Sequence, residues 1–220
     1  MYAVIRGDVE NRRVTAEISA HRRARRTQAD RSAATRDALV AAARRLFAAQ
    51  GFADVSTDAI TAEAGVTRGA MYHQFADKAA LFDAVLEAVE SDIARRLADG
   101  VAAAGITDPV EGMRQAVRVW LEICAEPEIH RIALVDGPSV VGWTRWREVC
   151  QKHVFGLVET LLAQGIELGR IRSQPVRPLA HAIMGAGDEA ALYVAESPDR
   201  PRARAEMTEV LDQLIEGVRA

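Results

Sequence analysis

Only two residues, Gly65 and Val66, separate two segments that both read as helices, and neither segment is long enough to stand alone. The first, about 57–64, has Ser56 as its N-cap and Asp58 in its first turn, and Gly65 ends it. The second, about 68–74, starts from Thr67 and runs "RGAMYHQ". A helix of about seven residues is not stable in water by itself. It has to be held by neighbours, and its outward face is then free for another purpose. Few folds pin two such helices across a glycine turn with an apolar anchor in it, and the pattern predicts a helix-turn-helix.

The rest of the 220-residue chain sets the frame for that unit. Apolar residues recur at spacings of three and four, with no sustained period-2 alternation, so the predicted class is all-α. A first helix of "TRDALVAAARRLFAAQG" puts Leu39, Val40, Ala43, Leu46 and Phe47 on one face and stops at Gly51. A long fourth helix, capped by Asp77, carries Leu81, Phe82, Val85, Leu86, Val89, Ile93 and Leu97 and is expected to end near Gly100. Asp108-Pro109 opens a fifth helix to about residue 125, with Pro at its first position. A shorter helix is expected over 128–135, followed by a break at "DGPS". Three more follow, over about 140–165, 179–195 and 202–218.

Charge is uneven. Residues 1–36 hold nine arginines against four acids, +5, so the remainder carries −8 of the overall −3. Residues 1–30 read as a basic arm, with Arg22, Arg23, Arg25 and Arg26 placed to follow a DNA backbone or enter a minor groove. No signal peptide and no apolar run of membrane-spanning length is visible. Cys124 and Cys150 have no metal spacing and read as buried thiols in a reducing compartment. A cytoplasmic, nucleoid-associated protein without cofactor, metal or membrane partner is expected.

The outward face of the second short helix consists of Thr67, Arg68, Gly69, Ala70, Tyr72 and His73, with Met71 and Phe75 turned to the core. Gly69 and Ala70 allow close approach to a groove floor. Arg68 reaches a base edge or phosphate, and Tyr72 and His73 donate to phosphate oxygens. Thr57 and Lys78, at the starts of the flanking helices, join this DNA-binding set. Such a layout is that of a recognition helix entering the major groove of double-stranded DNA.

The stretch from Thr35 to Val85 resembles the N-terminal domain of TetR-family transcriptional regulators. The resemblance rests on Leu39-Val40, Ala42-Ala43, Leu46-Phe47, Gly51-Phe52, Ile60, Ala64-Gly65-Val66, Gly69, Tyr72, Phe75, Lys78 and Leu81. Departures are Ala70, Met71 and Ala79, where the family commonly has Thr, Leu and Glu. It implies a helix-turn-helix domain over 31–80 and a helical effector-binding and dimerisation domain over 81–220. It also implies a homodimer on a palindromic operator, acting as a repressor that a small molecule releases.

Two further sets of residues are expected to serve that function. Trp120, Cys124, His130, Trp143, Trp146, Arg147, Cys150 and His153 are candidates for the effector pocket, which would take an apolar or aromatic ligand with a hydrogen-bonding group. Ala182, Gly185, Ala186, Glu189, Tyr193, Met207, Val210, Leu211 and Leu214 are candidates for the dimer face. The competing class, a helical enzyme with an accessory helix-turn-helix, lacks a nucleophile motif, a zinc-binding motif and a phosphate-cradling loop. Gly185 and Gly187 follow no strand and are expected to serve helix packing.

Overall fold

The computed structural model describes residues 28–220, so the Arg22–Arg26 cluster lies outside the described residues. The first helix, α1, occupies 28–50 and begins ahead of the position expected from its apolar face. It stops at Gly51, whose φ of 84° places it in the left-handed region. Helices α2 (Thr57–Ala64) and α3 (Arg68–Gln74) lie where their caps put them. The Ser56 side chain accepts from the Ala59 N–H, and the Thr67 side chain accepts from the Ala70 N–H. Gly65, at φ 66°, lets its own N–H and that of Val66 close back onto the Ala62 and Thr61 carbonyls. This double closure needs the left-handed conformation that glycine reaches at little cost.

These helices stand on one aromatic cluster. Phe47 from α1, Phe52 from the following loop and Phe82 from α4 (Lys78–Ala103) meet at centroid distances of 5.6, 5.4 and 5.3 Å. Leu39, Ala43, Ile60, Met71 and Leu81 complete the packing. Lys78 serves it from the edge. Its ammonium lies 4.2 Å from the Phe52 ring centroid and donates to the Phe52 and Val55 carbonyls at 2.8 and 2.9 Å.

Helix α4 has 26 residues and continues past Gly100. That glycine is a contact point and not a stop: a Cβ there would lie 2.8 Å from the Val119 side chain of α5 (Pro109–Cys124). Helix α5 packs against α4, α9 (Gly156–Glu167), α10 (Val176–Glu196) and α11 (Arg200–Glu216), and so forms the centre of the larger helical part.

Between α5 and α9 the chain departs from the sequence expectation. A short α6 (Pro127–Ile129) runs into a π-helical segment, His130–Asp136, and then into α7 (Gly137–Val141). The "DGPS" stretch therefore stays helical. Gly137 has no side chain to collide with the Trp146 indole, which a Cβ would meet at 2.8 Å, and this close packing keeps the turn wound. The break comes at Gly142, with φ 81°. Helix α8 (Trp143–Cys150), a second π-helical segment (Gln151–Phe155) and α9 then follow as one rod. An isolated bridge from Ile171 to Arg219 ties the end of the chain to the α9–α10 loop, and no strand forms among the described residues. No helix among them is long and apolar enough to cross a membrane.

Candidate functional site

On α3 the side chains separate by face. Met71 is fully buried, whereas Thr67, Arg68, Gly69, Tyr72 and His73 are exposed and Ala70 is half-buried. Arg68 is held lightly, 3.4 Å from Asp58 and 5.7 Å from the Tyr72 ring centroid. Its guanidinium is raised in pKa by the hydrogen bond with Tyr72 and by the Asp58 charge, so it stays a cation throughout. Thr57 is half-buried at the start of α2. Lys78 lies at the edge of this face, but the Phe52 and Val55 carbonyls take two of its three donors. Replacing it with Met keeps the stem on Phe52 and orphans both carbonyls. Lys78→Met is expected to lower stability by about 1–3 kcal/mol in urea unfolding while changing the salt dependence of DNA binding by less than about one unit of slope.

Phe52 and Arg44 tie the helix-turn-helix to the larger part, and further charged pairs brace α4 within that part. Phe52 donates its N–H to Asp136 at 2.9 Å. Arg44 of α1 pairs with Asp92 at 3.5 Å and with Glu128, and Arg96 pairs with Glu126. Arg145 bridges Asp83 and Glu87, both at 2.8 Å. Glu87 also receives Lys152 and His153, each at 2.7 Å. Burial alone would raise the Glu87 carboxyl, but hydrogen bonds from His153, Lys152 and Arg145 outweigh it and hold it down at about 2.

A cavity of about 70 Å³ opens between α4, α5, α9 and α10. Leu97, Met113, Val117, Leu157, Leu161 and Ile183 make its walls apolar. Trp120 closes one side, its indole N–H donating to the Gly187 carbonyl at 2.9 Å. The polar lining consists of Glu90, Asp188 and Cys150. Glu90 is 2 % exposed. Burial pushes its carboxyl up to about 7, against the Cys150 thiol that hydrogen-bonds to it and with help from the Asp188 and Glu87 charges. Burial likewise raises Asp188 to about 7, opposed by Arg147.

Of the eight residues expected to line a pocket, only Trp120 and Cys150 reach this cavity. Cys124 and His130 line a separate, open groove of about 680 Å³ beside α1 and α10, with Arg131 and Arg200 at its rim. Trp146 belongs to the core, donating to the Ala133 carbonyl at 2.7 Å. Trp143 is 60 % exposed and faces away, Arg147 is spent on His181 at 3.1 Å, and His153 is taken by Glu87. Glu90 and Asp188 were not anticipated. The available signal was Glu90 itself, which sits on the stripe of Leu86, Val89, Ile93 and Leu97 where an apolar residue belongs.

On α10 and α11, Ala182, Gly185, Glu189 and Tyr193 are exposed, as are Val210 and Leu214, the last at 57 %. Ala186 and Met207 are half-buried at the margin. Leu211 turns the other way and is buried in the core. A Cβ on Gly185 would touch nothing, whereas Gly187 lies against Trp120, so the two glycines serve different faces.

Comparison with known proteins bears on the whole arrangement. Residues 39–85 match the model for bacterial regulatory proteins of the tetR family, and residues 110–218 match the tetracyclin repressor-like C-terminal domain. A TetR-family transcriptional regulator of known structure from Pectobacterium atrosepticum is 34% identical, with a TM-score of 0.75 over 87% of this chain and 97% of that one. The chain belongs to the TetR family. As a member it is a DNA-binding transcriptional regulator, with the helix-turn-helix in the N-terminal matched region. The transcriptional repressor AcnR of Corynebacterium efficiens is 26% identical over 144 residues, 66% of this chain and 72% of that protein. RolR in complex with resorcinol shares the TetR fold at 20% identity, with a TM-score of 0.67 over 85% of this chain and 95% of that one.

Proposed function

We propose that this TetR-family protein is a repressor that binds a palindromic operator as a homodimer and leaves it when a small molecule fills the cavity between α4, α5, α9 and α10. Residues 31–80 read DNA and 81–220 hold the effector and the partner subunit, with α4 running from one part into the other. The observation that carries the DNA reading is the division of α3. Met71 anchors the helix in the core, and the opposite face presents only small or polar residues and one exposed cation. Arg68, the charge that α3 itself puts on that face, is exposed, so a phosphate in a covering groove can pair with it directly.

The unpartnered apolar stripe of Tyr193, Val210 and Leu214 supports the dimer, since exposed large apolar side chains gathered on two adjacent helices mark an interaction surface. The apolar cavity, open at one side and carrying a few polar groups, supports the effector. Catalysis has no support: burial raises the Cys124 and Cys150 thiols, and the one thiol–carboxyl pair in the cavity, Cys150 with Glu90, pushes the thiol further from its nucleophilic form. The protein acts in the cytoplasm, where its operator is.

Selection of operator DNA from a random pool, followed by anisotropy titration, tests this reading. Arg68→Ala is expected to weaken the selected site by about tenfold and relax preference at one base position. Tyr72→Phe should weaken all sequences to a similar, smaller degree. A pool that yields no enriched site, or unchanged affinity for both variants, removes α3 as the recognition helix.

A further inference from the structure

The cavity's volume is roughly five times the ~10–15 Å³ that one water needs, and its walls are hydrocarbon except at one end. There Glu90 of α4 faces Asp188 of α10, with the Cys150 thiol between elements. The two carboxyls are short of donors. Among the described residues Glu90 receives only the thiol, at 3.5 Å, and one of its oxygens receives nothing. Asp188, half-buried, receives no hydrogen bond among the described residues, and the charge of Arg147, whose guanidinium is engaged by His181, favours its ionised form. Buried carboxyls are normally paired or bonded to several donors. A donor entering from the cavity side would reach the free oxygen of Glu90 and the Asp188 carboxyl together.

We propose that the cavity takes an organic cation with an apolar body, an amine or amidinium whose N–H groups bridge Glu90 and Asp188 while its hydrocarbon lies on Trp120, Val154 and Leu157. The proposal deepens the effector reading above and rests on it. A neutral hydrogen-bonding ligand would supply donors yet leave two like charges facing each other in a medium of low polarity. An anion would add a third. A cation removes both the unmet acceptors and the repulsion.

Proton linkage follows from the same groups. Around Glu90 stand Glu87 on its own helix, Cys150 from α8, Cys124 from α5 and Asp188 from α10; Arg147 of α8 acts on Asp188. His153 of the second π-helical segment is bonded to Glu87, and α9 contributes only apolar residues to the cavity. Burial raises both carboxyls to about 7. Cation binding therefore strengthens as pH rises from about 6 to 8 and the carboxyls ionise, with proton release on binding at the lower end.

Three molecules of one size separate the charge types: phenethylamine, 2-phenylethanol and phenylacetate, titrated into the full-length protein by calorimetry and tryptophan fluorescence. The amine should bind at least about tenfold tighter than the alcohol, and phenylacetate weakest. Glu90→Gln and Asp188→Asn should each weaken the amine about tenfold or more, change the alcohol by less than about threefold, and flatten the amine's pH profile. Both variants should fold, melting higher than the unsubstituted protein at pH 8 because an amide carries no charge to bury. The assignment is overturned by equal affinity for amine and alcohol, by preference for phenylacetate, by amine binding indifferent to both substitutions, or by no binding of any probe. Amine binding that leaves the operator complex intact keeps the cation site and removes the effector role. Operator release by neutral compounds alone removes the cation site and keeps that role.

Discussion

Gly185→Arg combined with Leu214→Asp is expected to yield a folded monomer that has lost about 10³-fold or more of its operator affinity. The two positions face outward: a Cβ at Gly185 meets no atom, and Leu214 is largely exposed. Gly185→Arg meets no atom and Leu214→Asp gives up only the covered part of a largely exposed side chain, so the monomer's stability should change by no more than about 1 kcal/mol. What is lost is the partner. A buried Arg without an acceptor and an Asp in an apolar seam both penalise the two-fold contact twice, once per subunit. A lone helix-turn-helix then reads one half-site and loses the benefit of the second. Light scattering and anisotropy on the same preparation check this. A dimer that survives both substitutions places the interface elsewhere. Leu211→Ala makes the contrast: buried in the core, it should cost about 2–4 kcal/mol of stability with no specific effect on assembly.

Phe82→Ala is expected to cost about 3–5 kcal/mol, the largest loss from any single truncation near the DNA-binding face. Phe82 is fully buried and touches both Phe47 and Phe52, so its removal opens a void shared by α1, the following loop and α4. Phe52 is held at three points besides, by its N–H on Asp136, its carbonyl on Lys78 and its ring under the same ammonium. The void therefore cannot close by moving that ring inward without breaking those bonds. Urea unfolding measures the loss. DNA affinity should fall with it, because α3 has no stability of its own. A loss below about 1 kcal/mol would show that the loop collapses into the gap after all.

The short helices were legible because their signals are local. Ser56, Gly65, Thr67 and Asp77 each act within three residues, and both helices begin and end where those residues put them. Gly100 and "DGPS" misled because a glycine reads alike whether it stops a helix or admits a neighbour. Only the partners, Val119 and Trp146, distinguish the cases, and they are remote in sequence. The cavity was hidden for a related reason. Counting aromatic and thiol residues along helices found its wall at Trp120 and Cys150 but also gathered Trp143, Trp146 and Arg147, which point elsewhere. Its polar end depends on Glu90 and Asp188 meeting across two helices nearly 100 positions apart.

Helix α4 carries Phe82 near one end and Glu90 and Leu97 further along, with the bonded carboxylates Asp83 and Glu87 between. At 1.5 Å per residue its 26 residues make a rod about 39 Å long. A tilt of a few degrees about the cavity end would swing the other end by about 2–3 Å, and two-fold symmetry would double that in the distance between recognition helices. DNA fixes that distance in steps of about 34 Å, one helical turn. On the proposed reading the protein would behave as a caliper whose jaws are set from the handle, and a ligand too small to touch DNA would put its two readings out of phase.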